Sequence, residues 1–229
     1  MSRAQTLSLI DVRLDRYDQG GAPVRLLDID ALVIPAGLKI GIAGPSGAGK
    51  TTLLDIASGL LTPTTGRVTW GDKQISGLRA GADALWRRLT LGFIFQDFHL
   101  LSELSVLDNI LLPAWFGSFR APTELQGRAR ELALRLRLPD MHRPAGVLSR
   151  GEQQRVAIAR ALLHDAALII ADEPTANLDA VNGAEIINLL ITEAERRKAT
   201  LLVATHDAAM LARLDEVIHL KDGRIGVIP

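Results

Sequence analysis

A glycine-rich stretch, GPSGAGKT at residues 44–51, stands between an apolar run typical of a strand, LKIGIAG, and a segment with helical spacing, TTLLDIASGLL. It fits the pattern G-x-x-x-x-G-K-[ST], in which glycines let successive backbone N–H groups turn towards phosphate oxygens. Lys50 adds a point charge for the β and γ phosphates, and Thr51 can place its hydroxyl on Mg²⁺. Because a strand precedes the loop and a helix follows it, the stretch predicts a phosphate site in an α/β fold.

Two kinds of apolar pattern predict two kinds of strand. LSLIDVRL (7–14) and VRLLDIDALVI (24–34) alternate, and they predict an N-terminal antiparallel layer. LIIADEP (168–174) and TLLVATHD (200–207) are apolar up to their polar ends, as expected of parallel strands buried on both faces. The helical segment AVNGAEIINLLITEAERR lies between them and completes a β-α-β unit. Further strands and hairpins are predicted at TPTTGRVTWGDK, LGFIFQ and VIHLKDGRIGVI.

The middle of the chain changes character. SVLDNILLPAWF and TELQGRARELALRLRL have helical patterns and are separated by glycine and proline. We interpret 98–147 as an inserted helical subdomain, and 1–97 together with 148–229 as the core, of one domain that spans 1–229.

Composition restricts the partners and the compartment. Lys plus Arg and Asp plus Glu each number 26, so no global charge argues for nucleic acid, and none is expected as a partner. The chain has no cysteine, which removes disulfides and thiolate chemistry and fits a reducing compartment. Charges interrupt the N-terminal region before an apolar core of signal-peptide length develops, and no apolar run reaches about 18 residues. We therefore expect a cytosolic chain that reaches a membrane only through a partner.

Polar residues that follow the buried strands are candidates for catalysis. Asp172 and Glu173 end LIIADEP, where one carboxylate can help to hold a metal while the other accepts a proton from water. A lone Asp-Glu pair is more often a solvated loop, but this pair follows a buried strand in a chain with a phosphate loop. His206 and Gln96 also follow strands, at the sheet edge where open α/β sheets bind ligands.

The segment LSRGEQQR (148–155) marks a helix start. Ser149 and Glu152 have the S-x-x-E spacing of a capping box, in which each satisfies a backbone N–H group of the other. The free N–H groups and the dipole of such a helix start favour an anion, whereas a cation such as Arg150 is disfavoured by about 0.3–1 kcal/mol. An anion site at this turn is the resulting hypothesis.

Six motifs, in order along the chain, give it a resemblance to the nucleotide-binding domains of ABC transporters. They are similar to the Walker A, Q-loop, signature, Walker B, D-loop and switch-histidine motifs, and here they read GPSGAGKTT, Gln96, LSRGEQQR, LIIADEP, ANLD (176–179) and His206. The resemblance covers essentially the whole chain. Within the family, the chain looks most like ATPases that serve lipoprotein-releasing, macrolide-exporting and cell-division permease-like partners.

The resemblance implies a P-loop NTPase fold with a RecA-like parallel-sheet core, and it implies ATP and Mg²⁺ as ligands. It places ATP on the loop residues Gly44, Pro45, Ser46, Gly47, Ala48, Gly49, Lys50, Thr51 and Thr52. Thr51, Gln96 and Asp172 would hold the metal. Glu173 would be the general base, Gln96 would touch the attacking water, and His206 would contact the γ-phosphate. Tyr17 would stack on adenine.

The resemblance also implies a head-to-tail dimer, because the signature motif of one subunit meets the ATP held by the other. Ser149, Gly151 and Glu152 would meet that nucleotide, and Asp179 would lie at the interface. The dimer would be a homodimer or a pair with a second ATPase subunit. It would lie on the cytoplasmic face of the membrane, bound to a permease-like partner.

One residue departs from the commonest family pattern in a way that matters for this interface. Arg150 stands where LSGGQ has glycine, and we expect its side chain to face away from the nucleotide, with a phosphate contact as the alternative.

Other functions remain as alternatives. A regulatory ATPase that controls a membrane protein without moving a solute would carry the same motifs. Soluble DNA-repair ATPases would need long coiled-coil insertions, and translation ATPases usually carry two such domains. A simple P-loop kinase or GTPase would not explain residues 148–155 or His206.

Overall fold

The strands form two sheets in the part of the chain that the computed structural model describes, which is residues 4–17, 21–77, 82–115, 121–138 and 140–226. In chain order the elements are β1 Leu7–Tyr17, β2 Pro23–Ile34, β3 Lys39–Ala43, α1 Lys50–Ala57, β4 Thr65–Trp70, β5 Lys73–Gln74, α2 Ala82–Thr90, β6 Leu91–Ile94, α3 Val106–Trp115, α4 Thr123–Arg135, α5 Arg150–Ala161, β7 Leu168–Asp172, α6 Ala180–Arg197, β8 Thr200–Ala204, α7 Ala208–Leu211, β9 Glu216–Lys221 and β10 Arg224–Gly226.

The sheet order confirms the predicted α/β class and its two layers. One sheet has the order β2-β1-β4-β5 and is antiparallel, as the alternating patterns of the first two strands predict. The other has the order β10-β9-β3-β8-β7-β6, and its strands from β9 to β6 are parallel. Predictions that fall on residues 18–20, 116 and 227–228 lie outside the described residues.

Alternate residues of the parallel strands face two different cores, and this explains why those strands are apolar throughout. In β7, Ile169 and Ala171 join the core that also contains α3 to α6. Leu168 and Ile170 join the core between the two sheets. Side chains of a strand point alternately to its two faces, so a strand covered on both sides has no face left for polar residues.

Helix α6 has the bounds that its sequence predicts, because both of its ends are marked by local chemistry. Asp179 is the N-cap, and its Oδ1 accepts hydrogen bonds from the backbone N–H groups of Val181 and Asn182 at 3.0 Å each. The helix stops at Lys198, which adopts a left-handed conformation with φ of 53°. Caps of this kind satisfy N–H and C=O groups that have no partner inside the helix.

Helix α2 has no counterpart among the predicted elements. Only Trp86 of its large apolar side chains is buried, whereas Leu85 and Leu89 remain 49% and 46% exposed. Ala82, Leu85, Trp86 and Leu89 nevertheless stand at i, i+3, i+4 and i+7, the spacing of an amphipathic helix. The sequence therefore carries a periodic signal for α2 that the predicted elements left out.

The predicted helical segment contains α3 and α4, whose buried side chains share one core with α5 and the parallel sheet. The subdomain boundaries at 98 and 147 stay predictions.

Among the described helices, none combines the length and the apolar character that crossing a bilayer requires.

A buried carboxylate joins α4 to α6. Glu193 on α6 is 2% exposed, and its Oε1 lies 2.9 Å from Nε of Arg135 on α4. Its other oxygen contacts Arg196 and Arg197 one turn along its own helix. Burial raises the pKa of Glu193, but the three guanidinium groups outweigh it and hold the pKa below its ordinary value.

Replacing Glu193 with glutamine should destabilise the fold by about 3 kcal/mol, because it leaves the guanidinium of Arg197 buried without its carboxylate. Chemical denaturation measures this loss. Since the native pKa is lowered, the stabilisation is present above the ordinary glutamate pKa and is lost as pH falls through the native value. The difference between wild type and variant should therefore shrink in acid.

The matched control is Glu195→Gln, two residues along α6, because Glu195 is 59% exposed and pairs with Lys39 at 3.4 Å. Exposed pairs contribute about 0.2–1 kcal/mol. Equal losses in the two variants would show that burial of the Glu193 network does not contribute to stability.

Candidate active site

The loop at residues 44–49 connects β3 to α1 and is held against the C-terminal hairpin. Gly47 adopts a φ of +79°, which favours glycine, and a side chain at Gly44 would place its Cβ 2.2 Å from the carbonyl oxygen of Leu220. The N–H group of Gly223 donates to the carbonyl of Ala48 at 3.1 Å. The glycines of this motif therefore allow a close approach of two backbones as well as a turn.

The ammonium group of Lys50 lies against the start of this loop. Its Nζ donates to the carbonyl oxygens of Gly44 at 2.9 Å and Pro45 at 3.3 Å, and it lies 3.7 Å from Oε1 of Glu173. The helix begins after Gly49 without a side-chain cap, so the N–H groups of its first turn have no side-chain acceptor. An ammonium group beside uncapped N–H groups is the donor set that binds phosphate oxygens.

Thr51 and Asp172 form a set of oxygen ligands at the edge of the sheet. The hydroxyl of Thr51 donates to Oδ2 of Asp172 at 2.7 Å, while Oδ1 of Asp172 is buried and has no hydrogen-bond partner. Burial raises the pKa of Asp172, and the nearby Glu173 carboxylate raises it further, against the opposing effects of Thr51 and Lys50. A buried, unpaired carboxylate oxygen beside a hydroxyl fits Mg²⁺, which prefers oxygen ligands.

Glu173 lies between two nitrogen groups, and its backbone is held in an unfavourable conformation. Its φ is 44°, while its N–H group donates to the carbonyl of Ala204 at 2.8 Å and so extends the pairing of β7 with β8. Its Oε2 lies 2.9 Å from Nδ1 of His206, although the ring N–H does not point at it well enough for a hydrogen bond. The structure thus brings Lys50, Glu173 and His206 together, and local strain of this kind is common at functional sites.

Two predicted site residues are not in contact with this group. Gln96 is exposed two residues after β6, and within the described residues its side chain forms no hydrogen bond. Tyr17 ends β1 with 78% of its surface exposed. Their roles toward metal and adenine stay predictions.

The signature turn has the capping box that its sequence predicts. The N–H group of Ser149 donates to Oε2 of Glu152 at 2.8 Å, and the N–H group of Glu152 donates to the Ser149 hydroxyl at 3.3 Å. The hydrogen bonds from Ser149 lower the pKa of Glu152. The guanidinium of Arg150 lies over the ring of Phe98, 5.7 Å from its centroid. In this structure the cation at the helix start is therefore placed on an aromatic face.

The signature turn packs against the start of α6. A Cβ on Gly151 would stand 2.6 Å from Oδ1 of Asn182, so any larger residue at this position would displace the Asn182 side chain. Nδ2 of Asn182 donates to Oδ2 of Asp179 at 2.6 Å, and the hydrogen bonds from Asn182 lower the pKa of Asp179. The structure thus brings the predicted interface residue Asp179 close to the signature, with Asn182 as the link that the sequence analysis missed.

Two further contacts were not predicted. The hydroxyl of Thr175 donates to Asp207 at 3.0 Å and ties the segment after Glu173 to the segment after His206. The fully buried Gln154 donates to the carbonyl of Pro174 at 2.8 Å. A threonine or a glutamine carries no sequence signal of its own, because its partner is distant along the chain.

Replacing Asp172 with asparagine should raise the melting temperature of the nucleotide-free protein at neutral pH. The raised pKa means that the charged form is disfavoured in the folded state, and a neutral side chain of the same shape removes that cost. The gain should disappear as pH falls and the wild-type carboxylate becomes protonated. Thermal unfolding in the presence of a chelator measures it.

The matched control is the same change at Asp179, whose pKa is lowered. Asp179→Asn should lower the melting temperature, because it removes a carboxylate that the folded state stabilises as an anion. Equal and same-signed shifts for the two variants would contradict this account of the buried carboxylate.

Comparisons of the sequence with known proteins agree with this geometry. The model of the family described as ABC transporter matches residues 27–176. The lipoprotein-releasing system ATP-binding protein LolD of Syntrophotalea carbinolica is 40% identical over 98% of this chain and 99% of its own length. The macrolide export ATP-binding/permease protein MacB 1/2 of Paracoccus denitrificans is 44% identical over 91% of this chain, which spans 31% of that protein.

Solved structures of similar fold are cassettes of the same kind. A dimeric structure of a post-hydrolysis state of the ATP-binding cassette MJ0796, bound to ADP and Pi, superposes with a TM-score of 0.88 at 35% identity and covers 96% of this chain and 97% of that one. CbiO1 of Clostridium perfringens, part of the ABC transporter complex cbiONQ, has a TM-score of 0.82 at 29% identity, with 98% and 88% of the two chains covered. The chain belongs to the ABC transporter ATP-binding family and is an ATP-binding, ATP-hydrolysing subunit of that family.

Proposed function

We propose that the chain powers a separate permease-like membrane protein by closing, head to tail, on a second ATPase subunit with ATP between them. The observation that carries this proposal is the separation of two half-sites. Among the described residues, no hydrogen bond or ion pair joins residues 149–152 to residues 44–52. The cassette MJ0796, whose structure superposes on 96% of this chain, is a dimer with ADP and Pi, and this supports a complement for each half from a second copy or a related subunit.

Within one half-site, each polar side chain has a separate role in ATP hydrolysis. Lys50 and the N–H groups of the loop bind the phosphates, and Thr51 and Asp172 would hold Mg²⁺, which would supply positive charge against the phosphates. Glu173 accepts the proton of the attacking water, for which its carboxylate lies at the open edge of the sheet. His206, 77% exposed at its side chain, contacts the γ-phosphate.

Gln96 and Tyr17 complete this half-site. Gln96 would hold the metal together with Thr51 and would orient the water, and Tyr17 would stack on adenine. Both side chains are exposed, so both are free to meet a ligand.

The other half-site is built from the signature turn and the start of α6. The N–H group of Gly151 lies at the positive end of α5, where a γ-phosphate from the second subunit is stabilised. The N–H group of Ser149 is donated to Glu152. The Ser149 hydroxyl accepts from the N–H group of Glu152 and donates its proton to Oε2 of the same residue, so it meets the ligand by turning that proton to the phosphate while it keeps the cap. Asp179 lies beside this turn through Asn182 and contributes to the same surface.

The membrane partner docks in a groove between α2, β6 and α3, which we call the α2–α3 groove. It has a volume of about 1010 Å³, and its apolar lining includes Leu60, Leu85, Phe93, Phe95 and Leu112. Leu60 and Leu85 are about half exposed. An apolar surface of this size suits a short amphipathic segment of another protein. In this proposal the chain is bound to the cytoplasmic face of the membrane through that partner.

The groove is also positively charged, because Arg87, Arg88 and Arg160 line it. Nε of Arg88 and Nε2 of His164, which also lines the groove, are buried without hydrogen-bond partners. Burial, with the nearby charge of Arg88, lowers the pKa of His164. No carboxylate of the described residues pairs with Arg88. The docking segment should therefore carry a carboxylate.

Replacing Glu173 with glutamine should reduce ATP turnover by about 10²–10⁴, the loss typical of removing a general base, while ATP still binds. The variant should therefore accumulate as an ATP-bound dimer. Steady-state hydrolysis, direct titration of ATP and size-exclusion chromatography with light scattering measure the three quantities. Lys50→Ala is the control, since it should lose ATP binding and dimerisation together.

Wild-type turnover in Glu173→Gln would contradict the assignment of the base. Monomeric Glu173→Gln at saturating ATP would contradict the shared-site mechanism.

Replacing Arg88 with glutamate should reduce binding of the membrane partner at least tenfold, because a carboxylate in the groove would repel the partner's carboxylate and remain unpaired. A tagged chain, coexpressed with the permease-like protein and purified in detergent, measures the bound fraction. ATP-dependent dimerisation of the variant checks that it is folded.

The charge-reversal control is Arg130→Glu on α4, where the arginine is exposed and no described group pairs with it. Retained partner binding by Arg88→Glu would exclude the α2–α3 groove as the docking surface.

A further inference from the structure

The loop that follows Gln96 is held in an unfavourable backbone conformation. Phe98 and His99 have φ of 59° and 48°, a left-handed region that is unfavourable for residues with a side chain. Phe98 is nevertheless buried, with 3% of its surface exposed. Such a conformation persists only where the surrounding contacts favour it.

Helix α5 supplies those contacts from both of its ends. Near its C-terminal end, the guanidinium of Arg160 donates to the carbonyl oxygens of Phe98 and His99. At its first residue, the guanidinium of Arg150 covers the ring of Phe98. The loop of Gln96 is therefore attached to the same helix that begins with the signature turn.

The contact of Arg150 with Phe98 offsets the unfavourable interaction between a cation and the positive end of the helix. A cation at the positive end of a helix is disfavoured, whereas the face of an aromatic ring carries negative charge density. A guanidinium within about 6 Å of a ring centroid at an exposed site gains about 0.5–1 kcal/mol. The ring thus compensates for the helix dipole. Moving the guanidinium of Arg150 away from the ring would therefore gain little free energy.

We infer that Arg150 is a positioning residue that couples the two ATP sites of the dimer, by holding the loop of Gln96 against the signature turn. The coupling rests on the proposed function, because the signature turn meets the second subunit's ATP while Gln96 serves the chain's own ATP. When the signature turn moves on binding the second subunit's ATP, the Arg150–Phe98 contact passes the movement to the loop of Gln96. Gln96 would position water and metal at the chain's own ATP site.

The first test measures the contact in the nucleotide-free protein by hydrogen–deuterium exchange. The N–H groups of Phe98 and His99 are bonded to the carbonyls of Phe95 and Asp97, so the peptide that contains them reports opening of the loop. Arg150→Gln should speed its exchange about two- to fivefold, the range that the cation–π contact provides. Arg150→Lys, which keeps a cation, should exchange at the wild-type rate. Arg130→Gln, on the exposed face of α4, should change nothing.

A double-mutant cycle shows whether the effect passes through the ring. Phe98→Leu removes the aromatic face, so Arg150→Gln should have no further effect in that background. If Phe98→Leu does not fold, the comparison of Arg150→Lys with Arg150→Gln still shows whether a cation at position 150 slows exchange in the loop. Unchanged exchange in Arg150→Gln, or equal exchange of the lysine and glutamine variants, would overturn the inference.

The second test measures the coupling itself. Wild-type hydrolysis should depend on ATP concentration with a Hill coefficient above 1, limited to about 2 by the two sites. In Arg150→Gln and in Phe98→Leu the coefficient should fall towards 1, while turnover at saturating ATP changes less than twofold. A direct phosphate contact would instead raise the half-saturating ATP concentration in Arg150→Gln, equally in the Phe98→Leu background, and would overturn the inference.

The two tests also separate this inference from the proposed function. If Glu173→Gln fails to dimerise with ATP, the shared-site mechanism fails whatever the exchange rates show. If it dimerises and the Arg150 variants keep the wild-type Hill coefficient, the coupling role of Arg150 alone is wrong.

Discussion

The site depends on the parallel alignment of four strands, because that alignment brings their carboxyl ends to one edge of the sheet. The order β3-β8-β7-β6 brings Lys50, His206 and Glu173 together and places Gln96 after a strand at the same edge, although these residues are far apart in the chain. Pairing of β7 with β8 continues through the N–H group of Glu173, so the sheet itself positions the Glu173 carboxylate. A site on regular strands is held more rigidly than one on free loops.

This arrangement has a cost that the rest of the fold offsets. Asp172 keeps a buried oxygen without a partner, and Glu173 adopts a left-handed backbone conformation. Both features are unfavourable without a ligand and suit a site that binds a metal and positions water. The stabilisation comes from two apolar cores, which share alternate residues of the same strands, and from the Glu193 network that fastens α4 to α6.

Helix α5 connects the surfaces that the proposed function requires. Its first turn carries the capping box of Ser149 and packs on Asn182, while Arg150 and Arg160 hold the loop that follows Gln96. Arg160 also lines the α2–α3 groove, so the loop lies between the nucleotide side and the proposed partner side of the molecule. One rigid helix can in this way relate a change at one ATP site to the other site and to the partner.

Local signals in the sequence were sufficient for much of the structure. The phosphate loop, the capping box of Ser149 and Glu152, the bounds of α6 and the buried strands β7 and β8 follow from chemistry within a few residues, and the structure confirms each of them. The polar ends of those strands also identified Asp172, Glu173 and His206, because strand period and polarity are visible in sequence.

The sequence by itself thus determined most elements of this fold and the polar side chains that meet at the sheet edge, since caps, glycine turns and apolar periods act over short distances. Only the tertiary structure decided which distant groups meet. The position of Arg150 over Phe98, the link from Gly151 to Asn182 and the groove beside α2 all depend on packing between segments remote in the chain. Such contacts leave no periodic or local signal, because each partner alone is an ordinary arginine, asparagine or leucine.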